Sequence, residues 1–173
     1  MPPRFAARWI LLALVLACCV GCDQFTKQLA QTRLKGQEAM VFWGDVVRLQ
    51  YAENPGAFLG LGGEMPAAVR WLVLVGMNGL IASGIACLLL FARRVSLLQV
   101  VACALLLAGA MGNLIDRVRF DGLVIDFLNL GVGPLRTGIF NIADVAITCG
   151  ALLLVWQPKP SRRATEPPLA NAR

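Results

Sequence analysis

Two carboxylates held a few ångströms apart can hydrolyse a peptide bond without a protein nucleophile. Like charges that close cannot both ionise easily, so the pair holds one proton. The ionised member takes a proton from water, and the protonated member donates to the scissile carbonyl oxygen. The sequence supplies carboxylates for this in Asp23, Asp116, Asp126 and Asp144, all at the edges of long apolar blocks or between them. Other hydrolytic chemistries have little to work with. There is no histidine, which removes the commonest general base, the usual partner of a serine or cysteine nucleophile, and His-containing zinc sites. Ser83, Ser96 and Ser161 are the only serines, and none lies near the polar residues, so a Ser–Lys dyad has poor support. The six cysteines (Cys18, Cys19, Cys22, Cys87, Cys103 and Cys149) sit in apolar blocks without a base and read as small core residues.

Spacing groups the polar residues. Asn113, Asp116 and Arg117 stand at i, i+3 and i+4 and share a helix face, with Gly109 one turn earlier to permit close helix approach. Asn141 and Asp144 share a face at i, i+3, and Asp23 and Lys27 can pair at i, i+4. The plain alternative is that these are helix-end caps and ion pairs. It is the favoured reading for Asp23–Lys27 and an even one for Asp116–Arg117. Asp126, placed in a loop between the third and fourth blocks, and Asp144 have no adjacent basic partner. A lone carboxylate near hydrocarbon is costly, so these two are functional candidates. Spacing alone leaves open whether Asp144 pairs with Asp126 or with Asp116.

The elements that must position these groups are membrane spans. The chain has 173 residues, is 58% hydrophobic and is only 15% charged, and the apolar excess is gathered in blocks. Lipid is the solvent this composition suits. Spans are expected at about 9–29, 69–92, 95–115 and 139–156, which makes the fold class an all-α polytopic membrane protein with four transmembrane helices. The first block, with Arg4, Arg8 and the lipobox-like Leu16-Ala17-Cys18-Cys19, also resembles a signal peptide. Three later spans favour an uncleaved helix. The net charge of +6 comes from basic residues that flank apolar blocks instead of clustering with aromatics, which points to membrane and away from nucleic acid.

Four crossings put both termini on one side. Lys and Arg divide evenly between the two sides, so the short Arg93–Arg94 hairpin decides, and the termini are expected in the cytoplasm. On the far side, 40–58 is expected to form a small β-region, with Asn54-Pro55-Gly56 as a turn. Residues 60–68 could hold a short interfacial helix. One membrane-embedded domain over 1–157 and a Pro-rich, disordered cytoplasmic tail over 158–173 complete the organisation. A transporter would spread its polar groups across the bilayer. Here the middles of the second and third blocks hold little beyond Asn78 and Ser83.

Five stretches carry a resemblance. They are Asp23-Gln24-Phe25-Thr26-Lys27, Glu53-Asn54-Pro55-Gly56-Ala57-Phe58, Gly112-Asn113-Leu114-Ile115-Asp116-Arg117, Val124-Ile125-Asp126-Phe127 and Phe140-Asn141-Ile142-Ala143-Asp144. In their order and placement the chain resembles the lipoprotein signal peptidases, or signal peptidase II. The resemblance implies an aspartic dyad of Asp126 and Asp144. Asn54, Gly56, Gly109, Asn113, Asp116, Arg117, Asn141 and Ala143 would support the dyad or the substrate, and Asp23 and Lys27 would be a structural pair. It also implies no metal and no cofactor. The substrate would be a diacylglyceryl-modified prolipoprotein, cut just before its lipidated cysteine at the outer face of the cytoplasmic (inner) membrane. The expected partners are that substrate and membrane lipid, with the chain acting as a monomer. Within this frame Arg117, beside Asp116, is expected to keep Asp116 ionised as a structural ion pair.

Overall fold

A run of leucine, alanine and valine without helix-breaking residues favours helix, and four such runs are helical in the computed structural model, which describes residues 3–56, 62–91 and 95–156. The helices are α1 (Pro3–Arg33), α2 (Ala67–Phe91), α3 (Leu97–Arg119) and α4 (Ile142–Val155). Both α3 and α4 begin with a capping box. The Ser96 hydroxyl accepts from Gln99 N–H (3.2 Å) while the Gln99 side chain accepts from Ser96 N–H (2.9 Å). Asn141 and Asp144 make the same reciprocal pair at the start of α4.

Among the described residues, three stretches are long and apolar enough to cross a membrane: Ala7–Arg33, Ala67–Phe91 and Leu97–Arg119. The fourth helix is apolar but has only 14 residues. The expected start near residue 139 is displaced because Phe140 pairs with Leu128 as an isolated β-bridge, and the helix begins only after Asn141. The outward side of the bundle is apolar, as lipid requires. On α2, Leu72, Leu80 and Phe91 are exposed.

The centre of the bundle is α3, on which α1, α2 and α4 all pack. Its inner positions are small: Ala102, Ala104, Ala108, Gly109 and Ala110 are buried. A Cβ at Gly109 would run into the Ala143 carbonyl and the Ile147 side chain, and one at Gly150 would stand 2.7 Å from the Ala102 carbonyl. Small residues thus allow α3 and α4 to approach backbone to backbone.

A four-stranded antiparallel sheet, in the order β1-β2-β3-β4, caps one end of the bundle. The expected hairpin is present as β1 (Met40–Phe42) and β2 (Val47–Asn54). Its turn places Trp43, Gly44 and Asp45 at positive φ. The segment read as a loop, 116–138, instead extends α3 to Arg119 and then forms β3 (Val124–Val132) and β4 (Leu135–Arg136). Asp126 therefore lies on a strand, opposite Ala52. Alternation does not reveal β3 because Val124, Ile125, Asp126 and Phe127 are all buried, so both faces of the strand are covered. No interfacial helix forms over 62–66, which are turns and bends closed by Met65 N–H donating to the Gly62 carbonyl (3.2 Å). Ala57, Phe58, the Arg93–Arg94 hairpin and the tail lie outside the described residues.

Candidate active site

Three asparagines orient the two candidate carboxylates, and each amide is itself oriented by a group that can only donate. Asn54 Oδ1 accepts from the Gly56 N–H (2.9 Å), so its NH2 turns to Asp126 Oδ2 (2.9 Å). Asn141 Oδ1 accepts from the Asp144 N–H (3.0 Å), so its NH2 turns to Asp126 Oδ1 (2.7 Å). Asn113 Oδ1 accepts from the Lys27 ammonium (3.0 Å), so its NH2 turns to Asp144 Oδ1 (2.9 Å). A backbone N–H and an ammonium have nothing to accept with, which fixes the amide orientations without ambiguity. Among the described residues, Asp144 Oδ2 receives the long Asn141 N–H bond at 3.3 Å and no other.

Asp126 and Asp144 line one cavity of about 770 Å3 together with Asn54, Gly56, Asn113 and Arg117. Val124, Ile139, Phe140 and Val145 give it apolar walls. Asp126 is 1% exposed. Burial pushes its carboxyl up, the Asn54 and Asn141 amides oppose this, and the nearby Asp144 charge adds to the rise, giving a pKa of about 6. Such a group changes protonation within reach of neutral pH, as acid–base chemistry needs.

The remaining sequence candidates separate into distinct places. Arg117 lines the cavity and donates from NH2 to the Gly56 carbonyl (2.8 Å), holding the 54–56 turn against α3. It forms no salt bridge with Asp116, contrary to the expectation from their adjacency. Asp116 instead binds Lys27 (2.9 Å), the Ile125 N–H (3.1 Å) and Gln24 Nε2 (2.9 Å), and lies outside the cavity walls. The alternative pairing of Asp144 with Asp116 thus has no shared cavity. Asp23 and Lys27 form the expected i, i+4 pair at 2.9 Å, both fully buried. Gly109 makes room for α4, and Ala143 contributes its N–H to Asp23 Oδ1 (2.8 Å).

Sequence reasoning missed Gln24, whose amide reaches Asp116 and the Gly112 carbonyl (3.2 Å). It also missed the wall formed by residues 137–140. Gln24, Gln28 and Gln31 repeat at helical spacing on α1, a signal that could have pointed to Gln24.

Helices of membrane-crossing length around a polar-floored, apolar-walled cavity define a class: polytopic membrane proteins with a site at one end of the bundle. Residues 15–158 match the family described as Signal peptidase (SPase) II. A "Lipoprotein signal peptidase" of Syntrophus aciditrophicus is 40% identical over 147 residues, covering 84% of this chain and 90% of that protein. Another of that name from Moorella thermoacetica is 38% identical, covering 86% and 91%. Two solved structures, each described as a bacterial membrane enzyme determined by the in meso method, superpose with TM-scores of 0.72 and 0.70 at 27% and 28% identity. They cover 83% of this chain and 84% and 89% of theirs. The chain belongs to the signal peptidase II family of peptidases.

Proposed function

We propose that this protein is an aspartic endopeptidase of the bacterial cytoplasmic membrane. It would remove signal peptides from diacylglyceryl-modified prolipoproteins, cutting just before the lipidated cysteine. The observation that carries this reading is the placement of Asp126 and Asp144 on one cavity, each held by amide donors of fixed orientation. Relatives named as lipoprotein signal peptidases support the substrate class.

The pair works as a unit with one proton between its members. Among the described residues, two amide NH2 groups address Asp126 and one addresses Asp144, and Asp144 Oδ2 is the least engaged oxygen. A water between the two carboxyls loses a proton to the ionised member as it attacks the scissile carbonyl. The protonated member donates to the carbonyl oxygen, giving a diol. As the C–N bond breaks, the carboxyl that took the water proton passes it to the leaving amine, and the other carboxylate takes a proton from a diol hydroxyl, which restores the shared proton. Arg117 beside the cavity offsets the negative charge of the site.

The lipid-bearing substrate explains why the cavity belongs at the end of a membrane bundle. Each CH2 withdrawn from lipid costs about 0.8 kcal/mol, so the acyl chains stay in the bilayer while the peptide enters the site. In this reading α4 is the fourth span, both termini are cytoplasmic, and the sheet lies on the extracytoplasmic side. Mass spectrometry of the product made by the purified protein from a lipidated prolipoprotein tests the reading. The mature chain is expected to begin at the lipidated cysteine; a new N-terminus elsewhere would contradict the assignment.

A further inference from the structure

Lys27 sits in the bundle with 2% exposure and spends its donors on three partners: Asp23 Oδ2 (2.9 Å), Asp116 Oδ2 (2.9 Å) and Asn113 Oδ1 (3.0 Å). A surface ion pair contributes little, but an ammonium buried with two carboxylates is costly unless every group is satisfied. Each carboxylate has a second task. Asp23 accepts the N–H of Ala143, the residue before Asp144. Asp116 accepts the N–H of Ile125, the residue before Asp126. The backbone beside each member of the pair is thus tied to a carboxylate, and both carboxylates are tied to one ammonium. The third bond, to Asn113, turns that amide's NH2 toward Asp144.

We infer that Lys27 is a positioning residue for the aspartate pair. Through Asp23 and Asp116 it sets where β3 and the first turn of α4 stand, and through Asn113 it sets the hydrogen-bonding face shown to Asp144. It belongs to the catalytic geometry without touching substrate, which is a larger role than an i, i+4 pair on α1. This rests on the peptidase reading above.

The test uses the full-length protein in detergent with a diacylglyceryl-modified prolipoprotein peptide. Lys27→Met removes the charge but leaves Asp23 and Asp116 buried and uncompensated, so it is paired with the neutral triple variant Lys27→Met/Asp23→Asn/Asp116→Asn. In the triple variant both amide oxygens can still accept from Ala143 and Ile125, so the backbone ties persist while the link between them is lost. The triple variant is expected to keep a cooperative thermal transition and bind substrate with KM within about twofold of wild type. Its kcat should fall by about a hundredfold, the scale set by an ångström of misplacement. The midpoint of its pH–kcat/KM profile should also move, because Asn113 Oδ1 is then held by the longer Asn141 amide bond (3.2 Å) without the Lys27 ammonium, and the NH2 face shown to Asp144 loosens. Wild-type kcat and an unmoved profile in the folded triple variant would overturn the inference. Loss of folding in both variants would also overturn it, marking Lys27 as a stabiliser of the bundle only. Failure of the peptidase reading is separate, since wild-type protein would then leave the lipidated peptide intact.

Discussion

Asp126 is held where its charge is disfavoured. Its pKa is about 6 in the folded protein against an ordinary value of 3.8. Between those values the folded state keeps a proton that the unfolded chain has released. Stability therefore falls as pH rises from about 4 through about 6, and the loss is complete above that. Asp126→Asn is uncharged at every pH and lacks this slope. Its thermal midpoint, relative to wild type, is expected to be higher at about pH 7 than at about pH 4.5; an offset independent of pH would contradict this. Asn141 does two things, capping α4 and addressing Asp126. Asn141→Ala should cost about 0.5–2 kcal/mol from the cap alone and should lower kcat as well. A stability loss with unchanged turnover would show that the Asp126 contact is idle.

At the scale of elements, the meeting of α3 with α4 depends on glycine. Gly109→Ala would place a methyl against the Ala143 carbonyl, which belongs to the backbone and cannot move away alone. A destabilisation of about 1–3 kcal/mol is expected, the usual range for overpacking. At Gly76 on α2 an added methyl would meet nothing within 4 Å, and Gly76→Ala should be neutral or slightly stabilising. Comparing the two melting temperatures checks this, and equal effects would argue against tight α3–α4 packing. The long helices were legible because an uninterrupted apolar run of span length satisfies its backbone in lipid only as a helix. The first hairpin was legible from Met40–Trp43 and Val46–Tyr51 around Gly44-Asp45. Strand β3 was not, since its pairing partner β2 lies far earlier in the chain and its buried half has no polar alternation. The carboxylates themselves could be picked out by their lack of basic neighbours. Spacing could not choose between Asp116 and Asp126 as the partner of Asp144, because the choice depends on where β3 lies. The partner of Asp116 is hidden for a related reason: adjacency suggests Arg117, while the fold brings Lys27 from another helix.

At the scale of the molecule, the proposed orientation places the hairpin turn outside the cell membrane. Trp43 is 81% exposed at that turn. Trp43→Cys should react with a membrane-impermeant maleimide in intact spheroplasts, whereas reaction only after permeabilisation would invert the topology. The carboxylate mechanism also predicts that EDTA leaves cleavage unchanged. Loss of activity restored by a divalent cation would overturn a metal-free mechanism.

The central claim, that Asp126 and Asp144 together cut a lipidated prolipoprotein, is tested most directly by a gel-shift assay. Purified wild type, Asp126→Asn and Asp144→Asn would each be given the diacylglyceryl-modified substrate and its unmodified form. Wild type is expected to cut only the lipidated form, and neither variant, though folded, is expected to cut either. Full cleavage by either variant would contradict the claim.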